Sequence, residues 1–302
     1  MPAVPTLSPA AFGGLVDDAA IFPPGDQPMP DAVEAHRRHR ASWYADLVGP
    51  FACSDRRLPE LLAALPRDLP SDPLPLTVVV TGGAGAIEPA VTWAGRDERL
   101  RLVGLEVALR DEEDLAHNAA RMTTMLDATL PDGVRVSVEL PRAADASIPA
   151  GWLSALDAVA AAGHQAKFRT GGVSAESFPA AAELSAAISA ALDREAPFKC
   201  TAGLHHAVRH RADTGFEHHG FLNVLLATRA TLDGADPPAL ARLLDERSAE
   251  RVAAAVSALG DDRIASTRRW FVSFGSCSVA DPVGDLVALG LLSGDSLGAT
   301  AS

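Results

Sequence analysis

"GFLNVLLAT", residues 220–228, is the stretch on which the strand count turns. It is apolar enough for a buried strand. Continued as "FLNVLLATRATL", it reads equally well as a buried helix, and periodicity does not separate the two in so short a run. We read it as helix. Eight strand candidates then remain: "GGLVDDAAIF" (13–22), "YADLVGPFAC" (44–53), "LTVVVTG" (76–82), "RLVGLEVAL" (101–109), "VRVSVEL" (134–140), "HQAKFRT" (164–170), "PFKCTAG" (197–203) and "RWFVSFGS" (269–276). Ala/Leu-rich helical segments separate them, among them "PPALARLLDERSAERVAAAVSALG" (237–260), read as one helix. Apolar strands alternating with helices indicate a parallel sheet covered by helices. Eight such units in about 280 residues fit a (β/α)8 TIM barrel. The alternative is a doubly wound α/β fold in two domains. The barrel is expected to take up residues 1–290 and the last residues, 291–302, to form a flexible tail.

Composition narrows the class of partner. The chain has 302 residues, 48% hydrophobic and 22% charged, as a globular protein does. Its net charge of -13 argues against nucleic acid and against an anionic membrane surface. No apolar run reaches the roughly 20 residues that span a bilayer. "MPAVPTLSPAAFGG" lacks the pattern of a signal peptide, so a cytoplasmic location is expected. The three cysteines show neither metal-type pairing nor a disulfide framework. A small molecule is the expected partner, with a homo-oligomer left open.

The decisive compositional feature is the scarcity of lysine. Of 26 lysine and arginine residues, only Lys167 and Lys199 are lysine. Arginine stays protonated at any useful pH, whereas a desolvated lysine can lose its proton and attack a carbonyl. Both lysines lie in consecutive strand candidates, a few residues before a glycine. Neighbouring strands are about 4.8 Å apart, so two inward-facing lysines would repel, and one should have a depressed pKa.

The pieces "KFRTGG" (167–172), "FKCTAGLHH" (198–206) and "SFGSCS" (273–278) occur in this order on the last three strands. In this the sequence resembles deoxyribose-phosphate aldolase and related class I aldolases, over roughly the C-terminal half. The resemblance implies a Schiff base on Lys167, with Lys199 lowering its pKa. It also implies that Gly275, Ser276 and Ser278 help to hold an anionic group. "SFGSCS" lacks a second glycine and "AGLHHAVRH" carries histidines instead, which leaves open whether that group is a phosphate or a carboxylate.

Aldol cleavage also needs groups that move protons. Glu106 in "GLEVAL" and Glu139 in "SVELP" are acids inside apolar strands, where an unpaired carboxylate is costly. Each is expected to face the barrel mouth or to meet a cation, the candidates being Arg169 and the two lysines. Asp17 and Asp18 end the first strand, and Asp18 is taken as a substrate contact. His205, His206, His210, His218 and His219 follow strand seven. Of these His205 is the first choice for proton transfer, because it lies closest to Lys199, and His206 is a substrate contact. No HxH or HExxH spacing occurs, so no metal and no cofactor is expected.

Two further function classes remain. A metal-dependent hydrolase or isomerase would use histidines with Glu106 or Glu139 as ligands. A non-catalytic barrel would only bind a ligand. "VVVTGGAGAIEPA" (78–90) mimics a dinucleotide-binding turn, but Glu88 occupies the closing glycine position.

Overall fold

The structure, a computed structural model, describes residues 6–66, 72–110, 113–143 and 147–294. It contains strands β1 (Val16–Asp18), β2 (Val48–Ser54), β3 (Leu74–Val80), β4 (Leu100–Ala108) and β5 (Arg135–Glu139). These are followed by β6 (Gln165–Arg169), β7 (Phe198–Thr201), β8 (His210–Arg211), β9 (Glu217–His218) and β10 (Phe271–Ser276). The helices are α1 (Met29–Arg40), α2 (Leu58–Ala64), α3 (Ile87–Ala94), α4 (Leu115–Thr129) and α5 (Ala150–Ala161). Then come α6 (Ala181–Leu192), α7 (Phe221–Leu232), α8 (Pro237–Asp245), α9 (Ala249–Arg268) and α10 (Ala280–Ala288). All strands but β8 and β9 pair in parallel and close in the order β1-β10-β7-β6-β5-β4-β3-β2. The chain is a (β/α)8 TIM barrel.

Each of the eight expected strand segments overlaps one barrel strand, with ends that differ by up to a few residues. "FLNVLLATRATL" is helix α7, packed against β10, α8 and α9, and residues Phe221 to Thr228 are all buried. A helix covered on every side shows no polar stripe, which is why its sequence is ambiguous. The closed sheet rules out the doubly wound alternative. It also makes "TGGAG" an ordinary βα turn between β3 and α3, with Gly83 at φ +72°.

Two details depart from expectation. The segment 237–260 is not one helix. α8 stops at Asp245, and Ser248 starts α9 by accepting from the Arg251 N–H at 3.2 Å. A short antiparallel hairpin, β8 with β9, follows β7 and has no counterpart in the sequence reading. At the C-terminus, Leu291 and Leu292 are buried, and the Leu291 carbonyl accepts from the Leu7 N–H at 2.8 Å. The core therefore runs past residue 290, while 295–302 of the expected tail lie outside the described residues. No helix among the described residues is long and apolar enough to cross a membrane.

The core lies between the barrel's outer face and the helices. Leu76, Val78, Leu105, Val107, Val136, Val138, Ala166 and Phe168 alternate along β3 to β6 and are all buried. Phe198, Phe271, Phe274 and Phe221 continue the layer, with successive ring centroids 5.5, 6.4 and 5.1 Å apart. The intervening positions of the same strands face inward, as a period of two requires. They are unusually polar: Thr77, Glu106, Ser137, Glu139, Gln165, Lys167, Lys199 and Ser273. Barrel interiors are ordinarily filled by branched apolar side chains. This one holds a charged layer.

Candidate active site

The parallel register sets Glu139 beside Lys167 and Lys167 beside Lys199. Lys167 Nζ lies 2.7 Å from Glu106 Oε2 and 2.9 Å from Glu139 Oε2. Lys199 Nζ donates to Glu106 Oε1 and to Asp17 Oδ2. Asp17 Oδ2 also accepts from Ser273 Oγ at 2.8 Å, and Glu139 Oε1 accepts from Arg169 Nε at 2.8 Å. The result is a continuous row: Ser273, Asp17, Lys199, Glu106, Lys167, Glu139, Arg169. Three carboxylates alternate with three cations, so the row is neutral. Neutrality is needed, because desolvating each ion costs several kcal/mol and only close opposite charges offset that. Asp17, Glu106, Lys167 and Lys199 are buried. The Arg169 side chain is half exposed at the C-terminal end of β6 and opens the row toward the barrel mouth.

Glycine makes room for the layer. A Cβ on Gly49 would stand 2.3 Å from Asp17 Oδ1, and one on Gly104 would stand 2.5 Å from Thr77 Oγ1. Inward polar side chains take the space that a side chain on the adjacent strand would otherwise fill.

The expected depression of a lysine pKa is corrected by this geometry. Burial pulls Lys167 down, but the Glu106 and Glu139 carboxylates outweigh burial and hold it above the ordinary lysine value. Repulsion from Lys199 acts in the expected direction and is the smallest of these influences. Lys199 is likewise raised, with burial overcome by Asp17 and Glu106. On Glu106, burial is overcome by the two ammonium groups, which hold the carboxyl at about 2. Glu139 is lowered too, burial being outweighed by Lys167 and Arg169.

Asp18, expected at the site, points the other way. It lies one residue beyond Asp17, so its side chain leaves the barrel and meets His36 Nδ1 of α1 at 2.9 Å, both groups buried. Asp17 holds the position instead. Ser273 was missed altogether, although its place two residues before Gly275 on the same strand face was available as a signal.

The remaining expected residues gather at the C-terminal rim. Gly275 is in register with Asp17 and Thr201. Ser276 Oγ donates to the Ser278 carbonyl at 2.7 Å, and Ser278 Oγ accepts from Asp281 N–H at the start of α10 at 3.2 Å. The turn is thus closed by its own hydrogen bonds. His205 Nδ1 lies 3.3 Å from Ser276 Oγ and 3.5 Å from Cys277 Sγ. Burial, with His218 and His206 nearby, pushes His205 down to about 4. His206 is turned to Asp285 of α10 at 3.2 Å and is half exposed. The rings of His206, His210 and His218 contact one another through His210, at 4.7 and 5.1 Å between centroids. His219 is buried apart from them, against Arg209 and the Pro179 carbonyl. None of these hydrogen bonds reaches Lys167 or Lys199. Among the described residues, no three His, Cys, Asp or Glu side chains are grouped to hold a metal ion.

The N-terminal end of the barrel is hollow. A cavity of about 540 Å³ runs from the strand starts to Asp17, Glu106, Lys199 and Ser273. The charged layer is its floor. Compared with family models, curated proteins and solved structures, the chain finds no match.

Proposed function

We propose that the chain is a carbon–carbon lyase of class I aldolase type, forming a Schiff base between Lys167 and a small carbonyl compound. The observation that carries this reading is the contact of one buried amine with two carboxylates, at 2.7 and 2.9 Å, two residues before the half-exposed Arg169 at the C-terminal end of β6. Lys167 rests as ammonium. Its neighbours supply the proton acceptor that a nucleophilic amine needs.

Glu139 is the more exposed of the two carboxylates and takes the Lys167 proton as the carbonyl carbon arrives. The amine adds to form a carbinolamine, and the proton on Glu139 leaves with the hydroxyl as water, giving the iminium. A carboxylate then removes the proton of the β-hydroxyl. The carbon–carbon bond breaks toward the iminium, giving an enamine and an aldehyde. Protonation of the enamine and hydrolysis restore Lys167. Glu106 and Lys199 keep the layer neutral throughout, and Arg169 at the mouth receives an anionic substituent of the substrate. His205, low in pKa and so neutral at pH 7, is available at the rim as a proton acceptor.

The test is borohydride trapping with a panel of small aldehydes and ketones, read by peptide mass. Two lysines and one terminal amine make the readout unambiguous. An adduct on Lys167, absent from Lys167→Arg, supports the reading. Adducts confined to the terminal amine, while a control class I aldolase is trapped, overturn it. The raised proton affinity of both lysines favours a second reading, in which fixed ammonium groups bind an anionic ligand without covalent chemistry. Under that reading Lys167→Arg retains ligand binding.

A further inference from the structure

We propose that the cavity at the N-terminal end of the barrel is a second ligand site, built for a small multivalent oxyanion. It does not rest on the Schiff-base reading. Active sites of TIM barrels open at the opposite, C-terminal face, and the N-terminal end ordinarily serves stability. Here that end has the volume of a small-molecule site, about 540 Å³ against roughly 300–1,000 Å³ for such pockets.

Its walls carry the chemistry. Arg101 and Arg135 stand at the starts of β4 and β5, and Arg268 and Arg269 at the end of α9, all lining the cavity. Among the described residues, none of the four forms an ion pair with a carboxylate. The contrast with other arginines is plain: Arg57, Arg99, Arg142, Arg194, Arg229 and Arg251 each bind an acid within 3.0 Å. Arg268 is tethered, with Nη2 donating to the Gly13 carbonyl at 3.0 Å, yet its buried Nε donates to nothing. Burial pulls Arg268 down to about 10; the Asp17 carboxylate acts against that, and Arg135 adds a smaller push downward. Like charges line one cavity, relieved only by the field of Asp17, which is itself bonded to Lys199.

The floor supplies only part of their counter-charge. Asp17 and Glu106 are already committed to Lys199 and Lys167. What else the floor offers is neutral and hydrogen-bonding: Ser137 and Gln165, bonded to each other at 3.2 Å. A chain of net charge -13 repels anions over most of its surface. A concave cluster of unpaired guanidiniums focuses the opposite field and gives forked donors matched to carboxylate or phosphate oxygens.

The experiment uses wild-type protein labelled with 13C at lysine Cε, titrated at low ionic strength with inorganic phosphate, malonate and citrate. Calorimetry runs in parallel. Lys199 faces the cavity and Lys167 does not line it, so saturable binding should move the Lys199 signal more. The binding should weaken as salt is added, because screening shortens to about 10 Å at 0.1 M. The double variant Arg101→Ala/Arg135→Ala removes two exposed side chains and should bind at least about tenfold more weakly. Arg121→Ala, which removes an exposed arginine of α4, is the control and should bind as wild type. The pattern across the three anions tells phosphate from polycarboxylate. Absence of saturable binding by all three in the wild type overturns the proposal, as does affinity unchanged in the double variant. Neither result bears on borohydride trapping at Lys167.

Discussion

Glu106→Gln is the perturbation that asks most of the charged layer. Glu106 is the one carboxylate that touches both lysines, through Oε2 at 2.7 Å to Lys167 and through Oε1 to Lys199. The amide keeps the volume but turns an N–H₂ toward one ammonium group and removes one negative charge. The row passes from neutral to a net charge of +1 in a buried layer. Removing one partner of a buried pair costs about 3–5 kcal/mol, because the remaining charge is left uncompensated. That is a large share of an ordinary total stability of about 5–15 kcal/mol. Urea unfolding should show the midpoint falling with little change in slope. Adding Lys199→Met restores neutrality, so the double variant should be less destabilised than the two single losses together, by about 1–3 kcal/mol. With Glu106 gone, repulsion between the lysines is no longer outweighed, and both 13Cε signals should titrate lower than in wild type. A loss below about 1 kcal/mol with additive singles would refute a coupled layer.

Three further outcomes follow from the same geometry. Gly49→Ala places a Cβ 2.3 Å from Asp17 Oδ1 and 3.1 Å from the Val16 carbonyl, and should cost about 1–3 kcal/mol in chemical denaturation, whereas Gly85→Ala, with nothing within 4 Å, should be near neutral. Asp17→Asn should shift the Lys199 13Cε titration, while Asp18→Asn should leave both lysine signals in place and destabilise through His36; the reverse pattern would show that the parity of β1 is wrong. His205 and His219 are held at about 4 against an ordinary 6.5, so they bind fewer protons folded than unfolded. Their contribution is present above pH 6.5 and lost as pH falls toward 4, so the urea midpoint should drop through that window, and His205→Asn should flatten the drop.

The barrel was legible because its signal is repeated eight times. The outward faces of β3 to β5 supply Val and Leu at alternate positions, and helices separate them, so errors of a few residues at each strand end do not change the count. The meeting of Lys167 with Lys199 was legible for a related reason: two adjacent strands of known direction place residues near the same height together. What was not legible depended on parity or on long range. β1 has three residues, too few for an alternating pattern to say whether Asp17 or Asp18 faces inward. The sign of the lysine pKa shift required knowing that three acids from β1, β4 and β5 converge on two lysines; the sequence showed the repulsion and only candidates for the attraction. The hairpin strands β8 and β9 have two residues each and no periodicity at all. The arginines of the N-terminal cavity come from the end of α1, from β4 and β5 and from the end of α9, with no local motif to join them.

The distribution of basic residues follows from the shape of each site. Inside the barrel, facing side chains on neighbouring strands are separated by about 4.8 Å of backbone. An ammonium is a compact charge that can donate to two carboxylates in different directions, as both lysines do here. A planar guanidinium prefers to fork onto one carboxylate and does not reproduce an ammonium's short contacts to two carboxylates in different directions. Where the barrel widens into solvent, arginine returns: Arg169 at the C-terminal end of the row, Arg101 and Arg135 at the N-terminal end. A chain otherwise committed to arginine thus keeps lysine at the two positions where geometry demands a point charge. Lys167→Arg and Lys199→Arg should therefore both destabilise although charge is conserved, and Lys199→Arg should do so more, because its partners Asp17 and Glu106 are more deeply buried than Glu139. The urea midpoints of the two variants decide it: midpoints equal to wild type would mean that the layer tolerates guanidinium, and the scarcity of lysine would then have no structural cause.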